Sequence, residues 1–429
     1  MRAAQGPAIV ARFGAYGVKD LLKRGSITIL LGTGGVGKTT VAAALGMAGA
    51  AEHLNTAVIT VDPARRLRDA LGLEKLGGRP TKISSKRLRE AGLGSGLKLS
   101  AMMLDVKGEW DALTQRLVSN PAARERILAN PFYQSLTAEF AGSEAFAALQ
   151  QLYDLHQSEA FELEIVDTPP AAHAFEFLQA PARLMRLLDS RAARWLFTPS
   201  LSAGRIAARF AGEAARFVVR ELDRFAGGNV RSTITEFFAA AAEGIDAIVE
   251  RLQKTEALLH SPAVRFVLVT TAEADRLRQA RDLIDEMKAG GLTLSAIVIN
   301  RLLDEHTWKD AAGSAGGALN HLAEIPDLHN ALADEIRARS GVAAMVRNLE
   351  RYRECALDDI RRVESFAREL PGGVELAVAP EIKAGVRDLA AIARMAEYIM
   401  SGAAILKPLA HAAERMGPHP SHSHRSHGH

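Results

Sequence analysis

Cysteine is almost missing from this chain: Cys355 is the single one among 429 residues. One thiol closes no internal disulfide and supplies neither a CxxC pair nor a thiolate metal cluster. Long apolar runs are missing too. No stretch approaches the roughly 18 uninterrupted apolar residues a spanning helix needs. The first 24 residues carry scattered charge and no apolar core, so no secretory leader is expected there. Aromatics are few, Ala and Arg are many, and helices are favoured accordingly. The net charge is only +3, and no basic block marks a nucleic-acid binder. These absences lead to the expectation of a soluble, cytoplasmic protein without an integral membrane segment or nucleic-acid partner.

What is present is a glycine loop in a diagnostic setting. Gly32-Thr33-Gly34-Gly35-Val36-Gly37-Lys38-Thr39-Thr40 follows the apolar run Ile27–Leu31 and opens the helical run Val41–Glu52. Strand, glycine loop and helix form the context of a phosphate-binding loop. Glycines let successive backbone N–H groups turn inward on phosphate oxygens, and the helix adds its positive end. In that reading Lys38 reaches the β- and γ-phosphates and Thr39 ligates Mg²⁺.

Further along, β-rich runs alternate with helical ones, as in a parallel sheet. Strands are expected at Ser26–Leu31, Thr56–Val61, Leu97–Leu104, Phe161–Val166, Val264–Val269, Ser295–Ile299 and Val374–Val378. Helices are expected over Trp110–Phe140 (broken at Pro121 and Pro131), Ala145–His156, Ala174–Phe197, Arg276–Lys288, Ala315–Leu370 and Leu389–Met400. Gly77–Gly96 reads as an irregular surface segment. The fold class is therefore α/β, a P-loop NTPase with a mostly parallel, doubly wound sheet and an all-helical insertion. The expected organisation is an N-terminal helix (1–25), the first part of the core (26–200), a helical insertion (201–262), the second part of the core (263–402) and a His-rich tail (403–429). In the insertion, Phe210, Phe217 and Phe225 lie on one stripe and Phe237, Ile245 and Leu252 on another. Two readings stay open: helices packed on the body, or a partly exposed face for a client. The tail, with five histidines from His419 to His429, is either a disordered polar end or a loose metal binder.

Two acidic residues end apolar strands. Asp167, at the end of the Phe161–Val166 run, is the expected second Mg²⁺-site residue. Asp62, after Thr56–Val61, is either a functional carboxylate or a helix N-cap.

Three motifs in one order now point to a family. They are Gly-Gly-Val-Gly-Lys-Thr-Thr at 34–40, Asp62-Pro63-Ala64 with Leu67 and Asp69, and Asp-Thr-Pro-Pro-x-x-His at 167–173. Together they resemble the ArsA-type, or GET/TRC-like, ATPases of the deviant-Walker class. Val269-Thr270-Thr271-x-Glu273, Val298-Ile299-Asn300 and Pro380-Glu381-Ile382 extend the resemblance from about residue 25 to residue 400. It implies that Lys38 and the amides of Gly34, Gly35, Val36, Gly37 and Thr40 hold ATP and that Asp62 orients the attacking water. It also implies that Asp167 acts on Mg²⁺, that Asn300 hydrogen-bonds adenine, and that Pro380 and Ile382 line the base. The missing guanine-reading NKxD favours ATP over GTP. The sequence departs from the class at Thr33, where these ATPases carry a lysine that crosses a dimer. Arg65 and Arg66 are the nearest candidates for a replacement charge. A single cysteine also excludes the thiolate cluster of arsenite pumps and a CxxC zinc clasp.

The resulting expectation is an ATP-hydrolysing switch that moves a helical surface for an apolar client or partner protein, including a membrane-protein segment. A homodimer is left open. An efflux-pump energiser, a metallocentre-assembly NTPase and a positioning ATPase are the alternatives.

Overall fold

A computed structural model describes residues 21–61, 66–131, 133–134, 137, 143–168, 178–182, 185, 236–237, 240, 244–302, 335–382 and 388–400. The expected N-terminal helix, the Ala174–Phe197 helix, the first insertion stripe and the tail lie wholly or mostly outside them.

The strands are β1 (Ser26–Leu31), β2 (Thr56–Thr60), β3 (Thr81–Lys82), β4 (Leu99–Met103), β5 (Leu163–Asp167), β6 (Val264–Thr271), β7 (Leu294–Leu302) and β8 (Glu375–Pro380). The helices are α1 (Lys38–Ala51), α2 (Arg66–Ala70), α3 (Ser85–Glu90), α4 (Val106–Leu117), α5 (Pro121–Ala129), α6 (Ser143–Gln157), α7 (Ile245–Leu259), α8 (Ala274–Ala289), α9 (Glu335–Arg368) and α10 (Leu389–Met400). All eight strands form one sheet in the order β3-β4-β2-β5-β1-β6-β7-β8. Every pairing is parallel except the antiparallel contact of β3 with β4.

The strands of such a sheet are covered on both faces, so they read as continuous apolar runs. β1 is buried at all six positions. Its alternate residues divide between two cores. Ile27, Ile29 and Leu31 pack with Leu113 of α4, Phe146 of α6, Leu252 of α7, Leu277 of α8 and Phe366 of α9. Leu30 faces the opposite way, into a core with Val41 and Leu45 of α1, Leu67 of α2, Leu88 of α3 and Ile392 of α10. Helices on both faces make the sheet doubly wound, as expected.

Several boundaries move, and each has a cause. Gly77–Gly96 is not wholly irregular: it holds β3 and α3, with Ser84 capping α3 through Arg87 N–H. A two-residue edge strand has no periodicity to read. α4 starts at Val106 rather than Trp110 because the Asp105 carboxylate accepts from Gly108 N–H and caps the helix. The expected break at Pro121 is present: one helix ends at Leu117 and Pro121 opens the next. Asn120 caps α5, and the proline stands at its first turn, where its missing N–H costs nothing. β6 and β7 run past their apolar stretches into Thr270-Thr271 and Asn300-Arg301-Leu302.

α7, the last part of the 201–262 stretch, is tied to the body by a polar ladder. Gln150 of α6 donates to Thr255 Oγ1 at 2.8 Å and accepts from Arg251 Nε at 2.9 Å. Arg251 also pairs with Asp154, which Arg116 of α4 shares with Glu109.

A second buried polar contact makes stability depend on pH. Glu164 of β5 is almost fully buried, and its Oε2 lies 3.0 Å from His156 Nδ1 on α6. The hydrogen bond to Glu164 raises the His156 pKa above its ordinary value, and burial raises that of Glu164. Both shifts mean that the native state holds protons more tightly than the unfolded chain. The His156 part of this stabilisation is complete below the ordinary histidine value and lost as pH rises through the raised one, and the Glu164 part is lost at lower pH, from the ordinary carboxylate value through its own raised one. The urea midpoint of the wild type minus that of His156→Gln should shrink between pH 6 and pH 9. A difference constant with pH would contradict this.

Candidate active site

In an open parallel sheet the carboxyl ends of the strands form the binding edge. Here β1 is central, so the loop that leaves it stands in the middle of that edge. The loop's geometry explains its composition. Gly32, Gly35 and Gly37 have φ of +149°, +83° and +91°, a region costly for side chains. A Cβ on Gly32 would lie 2.2 Å from the Val269 carbonyl oxygen. On Gly37, the left-handed N-cap of α1, it would lie 2.3 Å from Asn300 Nδ2. Gly34 and Gly35 are exposed, Val36 is buried, and Gly37, Thr39 and Thr40 are half-buried.

Lys38 is buried, and its Nζ donates to Gly32 O at 2.8 Å and to Thr33 O at 3.4 Å. The ammonium thus folds back over the start of its own loop. Thr39 Oγ1 donates to Asp167 Oδ2 at 2.8 Å, and Thr60 Oγ1 approaches the same oxygen at 3.3 Å. Asp167 ends β5, the neighbour of β1, and is 1% exposed. One hydroxyl and one carboxylate, 128 residues apart, meet beside the loop. An all-oxygen pair of this kind suits a hard divalent cation that keeps most of its waters and takes phosphate oxygens. No group of three or more His, Cys, Asp or Glu suited to a metal occurs among the described residues.

Asn300 stands two strands away, on β7, yet touches the loop. Its Nδ2 donates to Val36 O at 2.8 Å. Its Oδ1 is buried and accepts no hydrogen bond among the described residues. Pro380 ends β8 beside Leu302, and Glu381 N–H donates to Leu302 O at 3.0 Å. Ile382 packs on the α1-side core. Asp62 and Arg65 lie outside the described residues, and Arg66 is exposed at the start of α2.

The comparisons now add to this geometry. Residues 26–315 match the model of the Anion-transporting ATPase family. The chain belongs to that family. Its ATPase relatives are distant but extensive. ATPase GET3 of Malassezia globosa is 26% identical over 272 residues, covering 63% of this chain and 71% of that protein. ATPase GET3 of Zygosaccharomyces rouxii is 25% identical over 358 residues, covering 76% and 90%. ATPase ARSA1 of Chlamydomonas reinhardtii is 28% identical over 331 residues, covering 69% of this chain and 38% of that protein. The ArsA/GET-like ATPase reading of the sequence therefore holds at the level of family, fold and ATP hydrolysis. No helix among the described residues is long and apolar enough to cross a membrane.

Sequence reading missed one neighbour of the loop. Arg276, in the first turn of α8, donates from Nη1 to Thr33 Oγ1 at 3.1 Å. The two residues are 243 positions apart. The available signal was the position alone: a cation five residues past the end of a strand that pairs with β1.

Proposed function

We propose that this ATPase is a nucleotide-driven switch, coupling Mg-ATP hydrolysis to movement of a helical surface that serves an apolar client or partner protein. The carrying observation is the meeting of Lys38, Thr39 and Asp167 at the carboxyl edge of the central strands.

In this reading the loop amides and Lys38 hold the triphosphate and neutralise charge that shifts during phosphoryl transfer. Thr39 and Asp167 would hold Mg²⁺ beside the loop, and the ion would supply positive charge to the phosphate oxygens. Asp62 orients the attacking water. Asn300 uses the two ends of its amide differently: Nδ2 braces the loop, and the unpartnered Oδ1 is left as an acceptor for the adenine amino group. Pro380 and Ile382 border the base.

Coupling would run through the segments after Asp62 and Asp167, since both follow strands that flank the loop's own strand or its neighbour. The helical layer has a second apolar cluster, in which Tyr133 stacks on Phe237 at 6.3 Å; Trp110 links it to the main core, 4.8 Å from Phe146. A cavity of about 50 Å³ lies between them, lined by Trp110, Tyr133, Phe146 and Phe237.

The test uses Asp62→Asn protein loaded with Mg-ATP, recovered from cells and analysed for what stays bound. Small membrane-anchored proteins are the expected catch. A transporter would favour the efflux-energiser reading, and an empty loaded protein would count against a client.

A further inference from the structure

We propose that Arg276 is a phosphate-contacting catalytic residue, supplied in cis, that engages the terminal phosphate of ATP. The inference rests on reading Gly32–Thr40 as the phosphate loop.

Arg276 reaches the loop because of where α8 begins. β6 pairs with β1 from Val264 to Leu268, and only Ala272 and the N-cap Glu273 separate the end of β6 from α8. Its first turn therefore stands at the same edge as the loop. Thr270 Oγ1 donates to the Arg276 carbonyl oxygen at 3.2 Å and pins that turn to the strand. The side chain is about one-third exposed, so most of it is laid against the protein.

Two cations converge on one loop residue. Lys38 Nζ sits on the Thr33 carbonyl oxygen and Arg276 Nη1 on the Thr33 hydroxyl. Among the described residues, the counter-charge of Arg276 is thin: Glu273 lies 3.8 Å from Nε and is 75% exposed, which makes a weak, water-screened pair. The other contact of Nη1 is neutral, Gln279 Oε1 at 3.2 Å. Nη2 makes no hydrogen bond among the described residues. A guanidinium offers five N–H donors in a planar fork that matches phosphate oxygens, so several remain for a ligand. An anion placed here takes the donors of Arg276 that remain.

The place also selects which phosphate. Lys38 serves the β- and γ-phosphates, and in this structure its ammonium lies at the Gly32–Thr33 end of the loop. A second cation at that end adds to the terminal phosphate rather than to the α-phosphate or the base. Hydrolysis forms a bond from the water oxygen to the γ-phosphorus and breaks the bond to the bridging oxygen, whose electron pair leaves with ADP. Arg276 only donates hydrogen bonds to the charge that spreads during this exchange, and the proton released by water passes to phosphate or solvent.

The experiment compares wild type, Arg276→Ala and Arg276→Lys in full-length protein. It measures Mg-ADP affinity, affinity for a non-hydrolysable Mg-ATP analogue, and steady-state turnover. Arg276→Ala should bind the ATP analogue about 10-fold more weakly, keep ADP affinity within twofold, and lose on the order of 10²-fold or more in kcat. Arg276→Lys should regain part of the analogue affinity and less of the turnover, because an ammonium lacks the fork. Wild-type turnover and discrimination in Arg276→Ala would overturn the inference and leave the phosphate loop intact. Equal loss for ADP and the analogue would also overturn it, since a mere prop of the loop would do that. A wild type that binds neither nucleotide would remove the loop reading itself, and this inference with it.

Discussion

Alanine in place of Lys38 is expected to stop ATP hydrolysis and leave the fold standing. Three facts set the size of the effect. The ammonium is buried at the start of the loop, its position is the one that meets β- and γ-phosphate oxygens, and phosphoryl transfer depends on charge neutralisation more than on covalent chemistry. Removing one such preorganised charge costs on the order of 10³-fold in kcat. The fold should not follow. Lys38 opens α1, and alanine has the highest helix propensity. Its ammonium donates to Gly32 O and Thr33 O at the start of the loop, and leaving these carbonyls without it costs about 1 to 3 kcal/mol. The urea midpoint should shift by that much while the transition stays cooperative. Turnover within threefold of wild type would rule out the loop as the hydrolytic site. Loss of turnover together with loss of the unfolding transition would mean that the lysine is structural first.

The same residues show how much of the architecture was legible in the chain. Gly32–Thr40 was readable because its chemistry is local: each glycine answers a backbone angle or a close approach within one short segment. The strand cores were readable because burial on both faces leaves continuous apolar runs, and β1, β2, β4, β5, β6, β7 and β8 all fall within or beside the expected stretches. Strand ends were not. Thr270, Thr271 and Asn300 are polar and look like loop, yet they remain in the ladder at the edge where ligands bind. β3 and α3 were lost because two extended residues and six helical ones carry no period. Long-range polar contacts were the least legible. Nothing near Arg276 in sequence announces Thr33, and nothing near Asn300 announces Val36. Both meetings follow from the order β1-β6-β7, which places chain segments side by side that are some 240 to 260 residues apart. Only the topology shows that the loop has a guanidinium on one residue and an amide under another.

Asp167→Asn should separate the metal's part in this site from the nucleotide's. The carboxylate is buried and accepts from Thr39 Oγ1 at 2.8 Å and from Thr60 Oγ1 at 3.3 Å, both on Oδ2. Asparagine keeps the volume and can still offer one oxygen to those hydroxyls, so the local packing has no reason to collapse. What it loses is the negative charge. Oxygen-ligated Mg²⁺ dehydrates reluctantly and depends on such a charge for its place, whereas the adenine and the loop amides do not. The expected result is a rise of about 10-fold or more in the Mg²⁺ concentration needed for half-maximal activity. A fall in kcat on the order of 10²-fold should persist at saturating Mg²⁺. ATP binding measured in EDTA should stay within twofold of wild type, or tighten, because a carboxylate no longer faces the phosphates. The control is Thr60→Val, which removes the weaker contact to Oδ2 and should change Mg²⁺ activation little. If Asp167→Asn instead shows the wild-type Mg²⁺ requirement with reduced turnover, the carboxylate serves to hold Thr39 in place, and the metal assignment moves to other oxygens of the site.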